Sequence, residues 1–345
     1  MPVLKALAAA NRALAELKGR AATIPNQGIL IDTLTLQEAK ASSEIENIVT
    51  TQDELFQATL FPEGPDSAAA KEVALYRDSL RLGYSRLIQT GGLITNNTLI
   101  DMFRLLKRRS GGFRNTPGTV LRNDVTGETA FVPPQDGNEI VVHMSALERF
   151  VNDDEACALD PLIKMALIHH QFESIHPFPD GNGRIGRILN VLYLTRAGLL
   201  DIPILYLSRH ITRSKGEYYR LLQAVRDDGA WQDWVIYMLT AVAQTAQTTL
   251  RLVEGVRGQM ASMKSQLRER LPKLYSQDLL NNLFRHPYTR IDFLMTDLGV
   301  TRQTAAKHLD KLAEAGFVQK QQAGRSNYYV NSALVNLFLE VGEGS

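Results

Sequence analysis

Apolar residues recur three and four positions apart through most of this chain, which predicts amphipathic and buried α-helices. The opening segment predicts one such helix, with a buried face formed by Leu4, Leu7, Leu14 and Leu17. Further helices are predicted at about 29–48, 71–90, 97–108, 142–150, 161–175, 184–197, 215–222, 231–247 and 248–270. The pattern therefore indicates a mainly α fold.

One internal stretch departs from this helical pattern. Residues 111–134 contain two short β-prone runs, Val120–Asp124 and Glu128–Val132, separated by Val-Thr-Gly. Two such runs joined by a short turn that contains glycine predict a β-hairpin. The residues at 61–70 are rich in Pro, Gly and Ala and predict a surface connection between helices.

The pattern of predicted elements changes from residue 271 onward. Short helices are predicted at about 276–284, 290–297 and 302–315, and two strands follow on either side of Ala323-Gly324-Arg325. This order resembles a winged helix. Its groove-facing side chains would be Arg302, Gln303, Lys307, His308 and Lys311, with Arg325 on the wing.

Composition narrows the class of protein. The chain has 345 residues, 44% hydrophobic and 22% charged, as in globular proteins with a sizeable core. A formal net charge of +1 gives no overall attraction to nucleic acid or anionic membranes. Cys157 is the single cysteine, which excludes a disulfide framework within the chain. No apolar run approaches the length of a membrane span, and charges interrupt the opening segment, so a cytoplasmic protein is expected.

The most informative stretch is His176-Pro-Phe-Pro-Asp-Gly-Asn-Gly-Arg-Ile-Gly-Arg187, which lies between two predicted buried helices. Its prolines and glycines predict a tight loop that leads into a new helix N-terminus. Unpaired backbone N–H groups there bind anions, and phosphate above all. Gly181, Asn182 and Gly183 let a phosphate approach the backbone closely.

Four side chains around this loop have matching chemistry. Arg184 and Arg187 are three residues apart, so both can reach one polyphosphate. Asp180 supplies a hard oxygen ligand for Mg²⁺. His176 titrates near neutral pH and is the natural general base. Each feature alone is common in surface turns, but together they predict a triphosphate site with a positioned base.

These residues match every specified position of the Fic motif, H-x-F-x-[D/E]-G-N-G-R-x-x-R, so the chain resembles the Fic family. The resemblance implies a Fic-type helical bundle and protein adenylyltransferase (AMPylator) activity. In that reaction the motif histidine deprotonates a target hydroxyl, which attacks the α-phosphate of Mg-ATP. The resemblance implies that His176 is the base, that Phe178 packs under the loop and that Asp180 holds the metal. It assigns nucleotide binding to Gly181, Asn182, Gly183, Arg184 and Arg187.

The resemblance extends to an inhibitory motif, [S/T]-x-x-x-E-[G/N], which Ser42, Glu46 and Asn47 match within a predicted helix at about 30–48. By composition alone Glu46 is a solvated helix carboxylate. The resemblance instead implies autoinhibition, in which Glu46 pairs with Arg187 and takes the guanidinium that should bind the γ-phosphate. In some relatives this glutamate also assists the removal of AMP.

Two further segments carry implied roles. The hairpin at about 119–134 resembles the flap that docks a target segment as an added strand. Tyr218 and Tyr219 resemble a pair that borders the adenine pocket, although such pairs are more often core aromatics. Arg226 stands where some relatives have an asparagine that contacts the nucleotide.

The chain is therefore expected to have an N-terminal helical region with the inhibitory helix (1–70), a Fic catalytic domain (71–270) and a winged helix-turn-helix domain (271–345). ATP and Mg²⁺ are the expected substrate and cofactor, and a Ser, Thr or Tyr of a target protein, or of the chain itself, the acceptor. The alternative is an ATP-sensing winged-helix DNA regulator without transferase activity. Because the C-terminal region is nearly neutral, an interaction module is favoured there over DNA binding. The sequence leaves open whether the chain forms a homodimer.

Overall fold

The computed structural model describes residues 1–51, 54–55, 68–122, 126–155, 157–323 and 326–343. Helices dominate these residues and confirm the predicted mainly α fold. In order they are α1 (Pro2–Ala21), α2 (Gly28–Ile45), α3 (Ala68–Gln89), α4 (Asn96–Lys107), α5 (Gly137–Asn152), α6 (Pro161–Ile175), α7 (Asn182–Arg196), α8 (Ser208–Arg213), α9 (Lys215–Asp228), α10 (Trp231–Arg270), α11 (Gln277–Arg285), α12 (Ile291–Leu298), α13 (Arg302–Glu314) and α14 (Ser332–Glu343).

Two small antiparallel sheets lie among these helices. The predicted hairpin is present between α4 and α5, where β1 (Leu121–Arg122) pairs with β2 (Thr129–Phe131). Near the C-terminal end, β3 (Tyr288–Thr289), β4 (Gln319–Ala323) and β5 (Ser326–Val330) form a sheet in the order β3-β5-β4. Most of the predicted connection at 61–70, the hairpin residues 123–125 and the wing residue Arg325 lie outside the described residues.

Three elements differ from the sequence prediction. The two helices expected at about 231–247 and 248–270 are one helix, α10, because no proline or glycine at their junction ends the hydrogen-bonded ladder. The strand β3 has only two residues, too few to give a recognisable pattern. The C-terminal helix α14 was not predicted.

The first helix packs along the last helix of the bundle. The buried stripe of α1 runs through Ala10, Leu14 and Leu17 and faces α10. Leu4 was predicted on this face but is 62% exposed. It lies about 100° around the helix axis from the centre of the stripe, too far to reach α10.

The two helices that flank the predicted loop form the centre of the bundle. Helix α6 ends at Ile175 and α7 begins at Asn182, and both are buried along most of their length. The indole N–H of Trp234 on α10 donates to the Ala166 carbonyl of α6 at 2.8 Å. A Cβ atom at Gly83 of α3 would lie 2.8 Å from Leu192 of α7, so these helices pack at close range.

Within the described ranges, none of the helices combines the length and the apolar character that a membrane span requires.

Replacing Leu17 with Ala tests the packing of α1 on α10. Leu17 is fully buried, so we expect Leu17→Ala to lower the free energy of unfolding by about 2–5 kcal/mol. Leu4→Ala, on the same helix but exposed, is the matched control and should change it by less than about 0.5 kcal/mol. Urea unfolding followed by circular dichroism measures both, and similar losses for the two variants would contradict the packing described here.

Candidate active site

The loop between α6 and α7 begins with a residue in a left-handed conformation. His176 ends α6 with φ 50° and ψ 58°, which is unfavourable for a side chain with a Cβ atom. Arg114 holds this turn in place: its side chain donates to the carbonyls of His176 at 2.8 Å and Ile175 at 3.3 Å. Its backbone N–H donates to the Pro177 carbonyl at 2.8 Å. The backbone that carries the imidazole is therefore fixed by contacts within the chain.

The rest of the loop is closed by one asparagine and one phenylalanine. Asn182 accepts from the Phe178 N–H at 2.8 Å and donates to the Phe178 carbonyl at 2.7 Å. The Phe178 ring is buried and stacks on Phe103 at a centroid distance of 4.5 Å. Gly181 has φ 78°, a conformation that glycine adopts without strain. The loop thus leads directly into the first turn of α7.

Arg187, the last residue of the motif, is fully buried and is bound by α2. Its guanidinium donates to the Ser42 hydroxyl at 2.8 Å, to the Ser42 carbonyl at 2.9 Å and to Glu46 Oε1 at 2.8 Å. Burial lowers the pKa of Arg187, but the nearby Glu46 carboxylate raises it, and the net shift is upward. Ser42 and Glu46 are thus both in direct contact with Arg187.

The Glu46 carboxylate also lies over the first turn of α7. A Cβ atom at Gly183 would collide with Glu46 Oε1 and would lie 2.9 Å from Arg187 Nη1. Backbone N–H groups and the helix dipole make this turn the place where an anion binds. Asn47 follows with φ 60°, which explains why Gly or Asn suits the position after the glutamate. The carboxylate of Glu46 therefore occupies a position suited to a phosphate.

The other two charged residues of the motif are also paired within the chain. Arg184 is buried and donates to Glu72 of α3 at 2.7 Å. Asp180 is largely exposed and pairs with the Lys107 ammonium at 2.6 Å. Every charged side chain of the predicted phosphate site thus has an internal partner of opposite sign.

Asp180 suits a divalent cation. Partial burial raises the pKa of Asp180 and the hydrogen bond from Lys107 lowers it, with a net downward shift that keeps the carboxylate ionised. The Lys107 ammonium stands beside it as an internal cation. A single carboxylate completed by phosphate oxygens and waters is how Mg²⁺ is commonly bound. Within the described residues, no cluster of three or more acidic, His or Cys side chains forms a metal site without such a ligand.

The expectation that His176 titrates near neutral pH was wrong, because its surroundings keep it neutral. Burial, and then the positive charge of Arg114, lower its pKa to about 4. At neutral pH the imidazole therefore keeps a free lone pair, which a general base requires.

Glu173 is a buried carboxylic acid beneath the site that sequence reasoning missed. Burial raises its pKa to about 7, with the charge of Arg187 opposing the shift. Its Oε1 has no hydrogen-bond partner and would lie 2.7 Å from a Cβ at Gly186, so only glycine fits there.

The two tyrosines assigned to the adenine pocket lie in different surroundings. Tyr218 is buried, bonds His169 Nε2 through its hydroxyl at 2.8 Å and packs against Trp234. Tyr219 is 44% exposed and meets the Tyr218 ring edge-on. Their role at the nucleotide stays a prediction.

Arg114, Glu72, Lys107 and Glu173 are site residues that the sequence did not identify. The partners Glu72 and Arg184 are 112 positions apart, so no local spacing signals the contact. Of these four residues, only Arg114 could have been suspected from the sequence, because it follows Gly-Gly-Phe directly before the predicted hairpin.

Three family models match separate parts of the chain. "Fic/DOC family N-terminal" matches residues 4–85, "Fic/DOC family" matches residues 93–194, and "Protein adenylyltransferase SoFic-like, C-terminal domain" matches residues 259–334. The central match contains the loop described above, and the first contains Ser42 and Glu46.

Individual relatives are more distant. The protein adenylyltransferase Fic of Drosophila melanogaster is 26% identical over 185 residues, which are 53% of this chain and 36% of that protein. The chain thus spans about a third of the length of the curated relatives that it matches. A Fic family protein from Desulfovibrio desulfuricans has a similar fold, with a TM-score of 0.54 and 20% identity over 95% of both chains. A Fic domain containing signaling protein from Bacteroides thetaiotaomicron gives a TM-score of 0.59 at 18% identity, over 72% of this chain and 97% of that one.

The buried Glu173 predicts a pH-dependent stability. Its pKa is about 7 in the folded protein against 4.5 for a free carboxyl, so between these values the folded state holds a proton that the unfolded state has released. This contribution to stability is complete below the lower value and is lost as pH rises through the upper one. We expect Glu173→Gln to gain stability relative to the parent as pH rises, by a few kcal/mol. Urea unfolding across this range measures it, with the exposed Glu16→Gln as control. A constant difference between variant and parent would contradict the prediction.

Proposed function

Because the chain belongs to the Fic/DOC family, we propose that it transfers AMP from ATP to a hydroxyl group of a target protein. A target oxygen forms a bond to the α-phosphorus of ATP while the bond to the β-phosphate bridging oxygen breaks and pyrophosphate leaves. His176 takes the proton of the attacking hydroxyl. The observation that carries this proposal is the arrangement at α7: a neutral imidazole beside a helix N-terminus that carries two buried arginines.

Different residues of the loop have different roles in the proposed reaction. The first turn of α7, from Asn182 to Arg184, offers backbone N–H groups to the phosphates. Arg184 and Arg187 neutralise the charge of the leaving pyrophosphate, as fixed cations do in phosphoryl-type transfer. Asp180 would hold Mg²⁺, which would supply Lewis-acid stabilisation of the negative charge on the phosphates.

Autoinhibition by Glu46 is a second part of the proposal. Support comes from its contacts: the carboxylate binds Arg187 and covers the helix turn where a phosphate belongs. While Glu46 occupies this position, ATP can bind only with its phosphates misaligned for attack. Productive binding requires α2 to move. The reverse reaction, removal of AMP with Glu46 orienting a water molecule, stays a prediction for the same site.

The proposal also assigns two partner surfaces. The flap, residues 119–134, presents two short strands beside the loop and would align a target segment as a third strand. The order α11, β3, α12, α13, β4, β5 fits a winged helix, with Arg302, Lys307 and Lys311 on exposed positions of α13. The second candidate, an ATP-sensing DNA regulator, rests on that domain alone. We favour an interaction role for it.

Labelling with radioactive ATP and Mg²⁺ tests the proposal. We expect slow self-labelling of the parent chain and at least about tenfold faster labelling for Glu46→Gly, because one charge-assisted hydrogen bond to Arg187 is lost. His176→Ala in the Glu46→Gly background should abolish labelling. Glu44→Gly, two residues away and exposed, is the matched control and should leave the rate unchanged. Tight, salt-sensitive DNA binding with no labelling of any variant would favour the regulator instead.

A further inference from the structure

Arg226 links the hairpin to the helix that carries His176. It lies near the end of α9, and its guanidinium carbon is 4.0 Å from the centre of the Phe131 ring at the end of β2. On its other side, Arg226 Nε donates to the Ser174 hydroxyl of α6 at 3.1 Å. One side chain therefore contacts both the hairpin and the turn of helix that precedes His176.

The surroundings of Arg226 favour this stacked contact. Burial lowers the pKa of Arg226, and its other hydrogen bond is to Gln223 of its own helix at 3.4 Å. A guanidinium lies flat on an aromatic face in a way that a lysine ammonium does not. The strands β1 and β2 have two and three residues, so their ladder alone gives the hairpin little rigidity.

We infer that Arg226 is a positioning residue for the flap. It fixes the end of β2 relative to α6, and so sets the distance between the His176 imidazole and a hydroxyl on a segment added to the hairpin. This role rests on the proposed function. It adds Arg226 as a residue that contacts the flap through Phe131 and α6 through Ser174.

Hydrogen exchange and self-labelling test this role in a Glu46→Gly background. We expect Arg226→Ala and Phe131→Ala each to speed amide exchange at 119–122 and 126–134 and to slow labelling by about threefold to thirtyfold, the range for one cation–π contact. The KM for ATP should stay within about twofold, because neither substitution changes a residue assigned to the phosphates. Arg226→Lys should behave like Arg226→Ala, and Phe131→Tyr should retain the parent rate.

The matched control is Arg220→Ala, on the exposed face of the same helix and paired with Glu217. Unchanged flap exchange together with a raised KM for ATP in Arg226→Ala would overturn the inference and identify a nucleotide contact. If the Glu46→Gly parent labels nothing, the proposed function fails, whereas the exchange comparison still decides the role of Arg226.

A separate set of contacts joins the C-terminal domain (α11–α14 with β3–β5) to α2. Asp32, near the start of α2, accepts hydrogen bonds from Arg81 of α3 and from Arg285 of α11, the latter at 2.5 Å. One turn later, Leu36 is buried in an apolar cluster that the C-terminal domain supplies. Its other buried members are Tyr288, Tyr328, Val330 and Val335.

These contacts use positions of α2 that lie beside the row facing the active site. Glu38, Ser42 and Glu46 are spaced by four and face the catalytic helices, where Glu38 accepts from Tyr76 at 3.0 Å. Leu36 lies about 120° around the helix axis from Ser42, and Asp32 lies about 80° from it. Helix α2 is therefore held between the catalytic helices and the C-terminal domain.

We propose that the C-terminal domain acts as a regulatory domain within the chain by holding α2 in place. Contacts that exist only while α2 is docked stabilise the state in which Glu46 covers Arg187. Conversely, loss of those contacts favours release of α2 and binding of ATP in a productive arrangement. This proposal rests on the autoinhibition described above and names what maintains it.

Self-labelling of the full chain tests the proposal with Glu46 intact. We expect Arg285→Ala to raise the rate by up to about fivefold, as for an exposed ion pair, and Leu36→Ala to raise it by about tenfold or more because a buried contact is lost. Amide exchange in Gly28–Ile45 should increase in both. Arg302→Ala, whose ion pair with Asp292 lies within the C-terminal domain, is the matched control.

Combining either substitution with Glu46→Gly should add nothing to the rate, because the inhibitory contact is already gone. Labelling at the parent rate by both single variants, beside fast labelling by Glu46→Gly, would overturn the regulatory role. A silent Glu46→Gly variant would instead count against the proposed function, and the exchange data on α2 would still report whether the C-terminal domain holds it.

Discussion

A buried guanidinium needs an anion beside it, and at Arg187 this requirement organises the catalytic part of the molecule. The side chain is fully enclosed between α7 and α2, away from the water that would otherwise solvate its charge. Glu46 satisfies it in this structure, and the phosphates of a nucleotide would satisfy it equally well. In the proposed mechanism both anions use the volume above the first turn of α7, so occupation by one excludes the productive arrangement of the other.

The same exchange of partners applies to the rest of the site. Glu72 pairs with Arg184 and Lys107 with Asp180, so the site is electrostatically complete without a ligand. Binding of a magnesium nucleotide therefore replaces internal ion pairs with new ones. Such an exchange costs less than exposing unpaired charges, and its balance depends on how firmly each internal partner is held.

The backbone conformation of the catalytic loop does not depend on this exchange of partners. Arg114 and Asn182 fix the backbone on both sides of Pro177 and Phe178, and these contacts do not involve α2. The backbone that carries His176 is thus held by contacts that are separate from Glu46. In the proposed mechanism the catalytic loop stays fixed, and the position of α2 controls access to the anion site.

Local patterns in the sequence determined the helices, the hairpin and the loop from His176 to Arg187, because proline, glycine and apolar spacing act over a few residues. They also placed Ser42 and Glu46 four apart on one helix. Local spacing failed where burial depends on a distant partner: it placed Leu4 inside and divided α10 in two. Only the tertiary structure decided that Glu72 reaches Arg184, that Lys107 reaches Asp180, and that Asp32 and Leu36 meet the C-terminal domain. Those contacts join residues far apart in the chain, and the chemistry of one partner gives no sign of where the other lies.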